Sequence, residues 1–346
     1  GLTVAYDLKN LGYLVEIFEA LPKLGGMLRV GIPDYRLPQD VLDQEIQNII
    51  DLGVTVHTDM RFGKDFSMEE LKAQGFVAVF MGIGAHEALR MNIDGEESPG
   101  VSDAVSYLRK INLKEEVHTG DQVVVVGGGN VAMDAARIAK RLGALRVTIV
   151  YRRTENEMPA YAEEIHEAKE EGIELLVLCA PVRIIQSEGR VSGLVCIRTR
   201  LGDPDESGRR RPEMVAGSEF ILPCDRILSA IGQVPDVSWH DQFPGLELTP
   251  RKTLKIDPEG RSTSLPFVFS GGDAARGPAT VIEAVADGHR AAKAIHAQLS
   301  GEPRPSLDSN PFGSEDMPDN NWVDISPHEK QRPREVKPPA SPDERV

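Results

Sequence analysis

Four consecutive valines, Val123 to Val126, run into Gly127-Gly128-Gly129 and then into Asn130-Val131-Ala132-Met133-Asp134, an apolar strand turning through glycines into a helix that carries an early acid. Glycines at such a turn let the backbone approach a pyrophosphate, and the unpaired amides and dipole of the helix start favour its charge. The stretch therefore suits a dinucleotide. Gly127 permits the tight turn, Gly129 admits the phosphates, and Ala132 stands where a third glycine would let helix and strand meet. At the end of the next strand, where an acid would select an unphosphorylated ribose, the chain has Tyr151-Arg152-Arg153. Paired guanidinium groups there would hold a 2′-phosphate through charge-assisted hydrogen bonds, which favours NADPH over NADH.

A second fingerprint opens the chain, without its first strand and glycine turn. Gly1 and Leu2 begin an amphipathic helix through Leu11, Gly12 breaks it, and Tyr13 to Phe18 runs as a strand into Glu19, the position of an acid that holds a ribose hydroxyl. Gly25-Gly26-Met27 follows and would bring backbone close to a cofactor. Late in the chain, Gly271-Gly272-Asp273 follows a buried strand, where a short carboxylate can accept a bond from a sugar-like hydroxyl chain. Thr280 and Val281 then start the last helix, whose amides would favour negative charge on a reduced ring. Two dinucleotides are expected, with one half-site cut short.

Other chemistries find little support. The cysteines Cys179, Cys196 and Cys224 contain no Cys-x-x-Cys pair, which excludes a flavin-to-disulfide relay and leaves them as buried thiols. The eight histidines show no ligand spacing, so no metal site is expected. No Gly-x-Ser-x-Gly motif suggests a hydrolase. A formal charge of −15 argues against nucleic acid and anionic membrane surfaces, and the run Arg209-Arg210-Arg211 reads as an exposed hairpin loop. No apolar run reaches the roughly 20 residues of a membrane span, and no signal peptide is seen, so a soluble cytoplasmic protein is expected.

The elements that must position these residues read as α/β. Residues 1–118 alternate helix and strand, with a helix from Val41 to Leu52 and strands at Val54–His57 and Phe76–Met81. Residues 119–233 continue from the valine strand through the helix Val131–Leu142, the strand Val147–Tyr151, the helix Tyr161–Glu171 and the strand Glu174–Leu178. Hairpin-like alternation follows from Val182 to Phe220, and Arg226–Ile231 is a closing strand. Residues 234–300 supply strands at Leu254–Ile256 and Pro266–Phe269 and a helix from Thr280 to Leu299. Having no fingerprint of their own, they are expected to rejoin the first unit. The predicted fold is α/β, two Rossmann-like dinucleotide-binding domains of the three-layer ββα type, the second inserted in the first. Residues 301–346 are rich in proline and acid and read as an extended tail or linker.

Taken together, Phe18 to Pro38, with its Gly25-Gly26-Met27-Leu28 and Ile32-Pro33-Asp34-Tyr35-Arg36-Leu37-Pro38, then Gly127 to Asp134, Tyr151-Arg152-Arg153-Thr154, Met158-Pro159-Ala160, Ala230-Ile231-Gly232-Gln233 and Gly271-Gly272-Asp273, resemble the glutamate synthase small-subunit family. The resemblance covers Gly1 to about Gly301. It implies an FAD-dependent NAD(P)H oxidoreductase that takes a hydride from NADPH onto FAD and passes electrons to an iron-sulfur centre or partner subunit. FAD would take Gly1, Glu19, Gly25, Gly26, Met27, Arg36, Gly82, Gly84, Gly272, Asp273, Thr280 and Val281. NADPH would take Gly127, Gly128, Gly129, Asn130, Val131, Asp134, Arg152 and Arg153. No residue acts as an acid or base, because the hydride passes between cofactors. Family members carry cysteine-rich iron-sulfur segments that are absent here, so truncation at the N-terminus is expected and the clusters belong to a partner or a missing segment. The alternative is a non-catalytic nucleotide-binding scaffold within a larger complex.

Overall fold

A computed structural model describes residues 1–204, 209–243, 245–257 and 262–301. The proline-rich tail at 302–346 lies outside the described residues.

The valine run forms the centre of a five-stranded sheet because β-branched residues buried on both faces suit parallel pairing. Its spatial order is Val101–Asp103, Arg226–Ser229, Gln122–Val126, Arg146–Tyr151 and Glu174–Val177, all parallel. On one face lie the helices Ala104–Asn112, Asn130–Arg141 and Ala162–Glu170, whose apolar stripes bury Leu108, Met133, Ala136 and Ile165 against Val123, Val125 and Ile149. The other face packs Val124, Val126 and Val150 on an antiparallel sheet built from Cys179–Ser187, Arg190–Pro204, Arg210–Met214 and Phe220–Pro223. This is the three-layer ββα arrangement.

The sheet begins earlier than residue 119. Val101–Asp103 pairs with Ile227–Ser229, and Asp103 caps the following helix by accepting from the Ser106 amide at 2.7 Å. Arg210 and Arg211, expected in a loop, instead pair along the strand Arg190–Pro204 and remain exposed. Of the strands expected after residue 233, Leu254–Ile256 is reduced to a single bridge between Leu248 and Leu254.

The flanking segments form two short parallel pairs, Glu16–Phe18 with Thr55–His57 and Val79–Met81 with Val268–Ser270. The second pair returns the late chain to the early one. Helix Leu2–Asn10 packs on the long helix Val281–Ser300, and Gly288 is needed there because a Cβ would lie 2.8 Å from Thr3 Cβ. The two crossings between the sheets are themselves paired, Glu87–Ala88 antiparallel to Gln233–Val234. Among the described residues no helix is long and apolar enough to cross a membrane.

Candidate functional site

At the glycine turn, Gly127 and Gly128 are buried and structural. A Cβ on Gly127 would lie 2.3 Å from the Ala230 carbonyl oxygen, and one on Gly128 would enter the Tyr151 ring at 2.6 Å. Gly129 faces space, its nearest neighbour being Pro159 at 3.8 Å, and it caps the helix Asn130–Arg141 with no side-chain acceptor. A helix start without its own cap, beside a glycine with room above it, fits a diphosphate. Asn130 Oδ1 accepts from the Tyr161 amide at 3.0 Å, which ties the loop after Pro159 to the turn, and Val131 is half-buried beside it.

The two arginines separate. Arg152 is exposed at the strand end, whereas Arg153 is buried and its Nε donates to the Arg210 carbonyl at 2.7 Å. Arg153 thus braces the antiparallel sheet, and Arg152 is the exposed member of the pair.

Asp134, expected beside NADPH, meets Arg36. Both its oxygens accept from Arg36 Nη1, at 3.0 and 2.8 Å, and its side chain is almost wholly buried. Burial pushes its carboxyl up to about 6 against the opposing pull of Arg36. Arg36, expected beside FAD, is here paired with the helix Asn130–Arg141 of the five-stranded sheet.

Across the crossings, Gly1, Glu19 and Gly82 converge. A Cβ on Gly82 would lie 3.3 Å from the Gly1 nitrogen, and Glu19 ends its strand with Oε1 accepting from the Leu21 amide at 2.9 Å. Burial raises the Glu19 carboxyl above its ordinary value, against the pull of the Leu21 and Ala20 amides and of the N-terminal ammonium. Gly26, with positive φ and open space where a Cβ would be, caps the short helix Met27–Val30. Gly25 lies under Arg29, a buried residue that sequence inspection missed: its Nε donates to the Leu24 carbonyl at 3.0 Å and its Nη1 to Gln39 at 2.7 Å, with Asp43 on Nη2. Gly272 caps the helix Asp273–Arg276, and Asp273 accepts from the Ala279 amide at 3.1 Å. Thr280 caps the last helix in a box with Glu283, whose carboxylate occupies that helix start, while Val281 is exposed.

Two further residues shape the Gly272 turn. Asp287 is fully buried and accepts from the Gly272 amide at 2.9 Å, from Arg276 Nε at 2.9 Å and from Arg276 Nη2 at 2.7 Å. Its signal in the sequence is a carboxylate on the small apolar stripe Ala284, Asp287, Ala291, a position that demands a partner.

Beyond Gly84 the crossing carries His86, whose Nδ1 lies 3.1 Å from Arg109 Nη2. Burial, then Arg109 and Arg61, push the imidazole down to about 4. The folded protein thus refuses a proton that the unfolded chain accepts below about pH 6.5, so the full stability is present above that pH and is lost toward pH 4. At about 1.36 kcal/mol per pH unit the whole shift amounts to roughly 3 kcal/mol. His86→Gln, which keeps an acceptor for Arg109, is expected to remove about 2 kcal/mol of the stability difference between pH 7 and pH 4.5 in urea unfolding. Equal acid losses in both proteins would contradict this.

The three cysteines are free and lie in the apolar layer between the two sheets, and burial raises their thiols to about 11 or 12. They are packing groups. Among the described residues no cluster of histidine, cysteine and carboxylate could hold a metal.

Glycine turns over parallel strands at two places in one chain, joined by a paired double crossing, define a two-dinucleotide oxidoreductase fold. The chain belongs to the pyridine nucleotide-disulphide oxidoreductase family, whose model matches residues 1–288. It is 47% identical over 302 residues to the NADP(+)-dependent formate dehydrogenase subunit beta of Moorella thermoacetica, a match covering 86% of this chain and 42% of that protein. To the NADPH-Fe(3+) oxidoreductase subunit beta of Geobacter sulfurreducens it is 41% identical over 325 residues, 86% of this chain and 48% of that one. The glutamate synthase [NADPH] small chain of Escherichia coli (strain K12) is 35% identical over 313 residues, 85% of this chain and 66% of that one, in keeping with the resemblance read from the motifs. The chain spans about half the length of the first two relatives. In fold it is similar to Mycobacterium tuberculosis FprA in complex with NADPH, at a TM-score of 0.72 and 20% identity over 89% of this chain and 85% of that one. Thioredoxin reductase from T. acidophilum gives 0.64 and 18% over 87% and 95%.

Proposed function

We propose that this chain is the electron-input module of an NADPH-dependent flavin oxidoreductase, with FAD on the Glu19 and Gly272 side and NADPH on the Gly129 side, the NADPH domain being inserted in the FAD domain. The observation that carries the reading is the helix start at Gly129, open and without a side-chain cap, set in the same chain as the convergence of Gly1, Glu19 and Gly82. When bound, the two cofactors supply hydride transfer from nicotinamide to flavin. The chain supplies their placement. Gly129 and Asn130 would seat the pyrophosphate of NADPH and Arg152 its 2′-phosphate. Glu19 would hold the FAD ribose, Gly26 and Met27 would line its path, and Gly272-Asp273 would meet the ribityl chain. With all three thiols buried and raised, the electrons leave for a centre outside the described residues, and an iron-sulfur partner subunit suits that role. The relatives' names as beta subunits and small chains of NADPH enzymes support such an assembly.

The test is the anaerobic visible spectrum after FAD reconstitution, with NADPH and NADH added in turn. Bleaching of a bound-flavin band at lower NADPH than NADH supports the reading. Absence of bound flavin in a full-length protein overturns it in favour of a nucleotide-binding scaffold. Arg152→Ala is expected to weaken NADPH about 10- to 100-fold, the worth of one or two charge-assisted bonds, and to leave NADH unchanged. Equal weakening of both would remove Arg152 from the phosphate site.

A further inference from the structure

The segment Gly31 to Pro38 links the early chain to the helices of the five-stranded sheet through three separate contacts. Asn112 Nδ2 donates to the Ile32 carbonyl at 3.0 Å. The Tyr35 ring lies beneath the guanidinium groups of Arg137 and Arg141, at 4.7 and 3.7 Å from its centroid. Arg36 places Nη1 on Asp134 and Nε on Glu164 at 2.9 Å, so it bridges the helices Asn130–Arg141 and Ala162–Glu170 from outside. Arg137, 1% exposed, continues the network to Glu164 and Glu167 at 2.6 Å and to Glu171 at 2.9 Å, and Arg141 reaches Glu171 at 2.7 Å. Three guanidinium groups thus face four carboxylates in a largely dry seam.

We propose that Arg36 and Asp134 are a clasp between the two halves and position the cofactor sites relative to each other, instead of binding either nucleotide. This rests on the reading that both dinucleotides bind. The geometry carries it in three ways. Asp134 has both oxygens on Arg36 and almost no exposed surface, so a nucleotide would have to displace a buried ion pair to reach it. Arg36 is held by two carboxylates from the half opposite its own, and a flavin phosphate would compete with both. The turn that presents Arg36 is internally bonded, with the Arg36 and Leu37 amides both donating to the Pro33 carbonyl, at 2.9 and 3.1 Å, so the guanidinium arrives preorganised. A planar fork also fixes the directions of both carboxylates, which lysine does less well, since its ammonium is a compact charge on a flexible stem.

The proposal separates binding from placement. Hydride transfer demands close approach and alignment of two rings carried by different halves, and small displacements are costly. Arg36→Met is therefore expected to leave the dissociation constants of FAD and NADPH within about threefold of wild type while the rate of flavin reduction by saturating NADPH falls at least tenfold. Arg36→Lys should fall in between. Amide exchange at Arg36 and Leu37 is expected to speed up at least tenfold in the FAD-free Arg36→Met protein, and combining it with Asp134→Asn, which removes the stranded charge, should recover part of the lost melting temperature. If Arg36→Met raises the FAD constant tenfold, or Asp134→Asn that of NADPH, these residues are ligands and the clasp is overturned. If wild type binds neither nucleotide the functional reading fails, and the clasp then stands or falls on amide exchange and the melting temperature of the double variant.

Discussion

Replacing Asp287 with alanine is expected to lower stability by about 3 kcal/mol or more and to weaken FAD binding at the same time. Removing one member of a buried ion pair costs about 3 to 5 kcal/mol because the other charge is left without compensation. Here the carboxylate also satisfies the Gly272 amide, and Arg276 is 30% exposed and can recover some hydration, which places the cost toward the lower end of that range. The Asp287 Cβ lies where a side chain on Gly271 would go, so the acid fixes both glycines before Asp273. With it gone, Asp273 loses its fixed direction. Denaturant unfolding followed by circular dichroism gives the first number and titration of flavin fluorescence the second. A loss under 1 kcal/mol with unchanged flavin affinity would show that the turn holds itself.

Gly127→Ala is expected to be at least as severe and confined to the other half. At φ +151° the residue already sits where side chains are rare, and the added Cβ would lie 2.3 Å from the Ala230 oxygen and 2.9 Å from its carbonyl carbon. Neither backbone can yield readily. Gly127 donates to the Val150 carbonyl at 3.0 Å, and Ala230 donates to that of Val126 at 2.8 Å, so relief means parting strands at the centre of the sheet. A loss of about 3 kcal/mol or more is expected, together with loss of NADPH binding while flavin binding persists. Gly129→Ala is the matching contrast, with no positive φ and no atom nearer than 3.8 Å. It should fold normally and bind NADPH less tightly, because its methyl group enters the space assigned to the phosphates. If Gly127→Ala binds NADPH normally, the turn is not the pyrophosphate seat.

The contrast between these glycines shows what could be read from residues alone. A valine strand, a glycine turn and an amphipathic helix announce themselves locally, and the five-stranded sheet's central strands followed from them. Val101–Asp103 did not, because three residues carry little pattern and their partner Arg226–Ser229 lies far along the chain. Leu254–Ile256 has strand composition without a strand to pair with, and composition cannot supply a neighbour. Arg152 and Arg153 look equivalent in sequence, yet in the bend after the strand Arg146–Tyr151 one stays exposed and the other is buried on the Arg210 carbonyl. Arg36 and Asp134 were legible as special residues, and their pairing was not, since it depends on how two separately formed halves meet. Asp287 left the clearest trace that went unread, an acid among alanines on a helix face that has to be buried.

The double crossing also sets an order of assembly. Every strand of the five-stranded sheet lies between Val101 and Ser229, whereas the pair Val79–Met81 and Val268–Ser270 brackets that entire stretch. Closing a flexible loop grows more costly with its length, by about 0.6 kcal/mol for each doubling. Once the insert has folded, its two ends are held together, with the Leu89 amide 3.0 Å from the Gly232 carbonyl oxygen. The long loop is then no more than a short hinge. The flanking half is accordingly expected to be completed last, and a substitution that slows folding of the insert is expected to delay the maturation of a half in which no residue has changed.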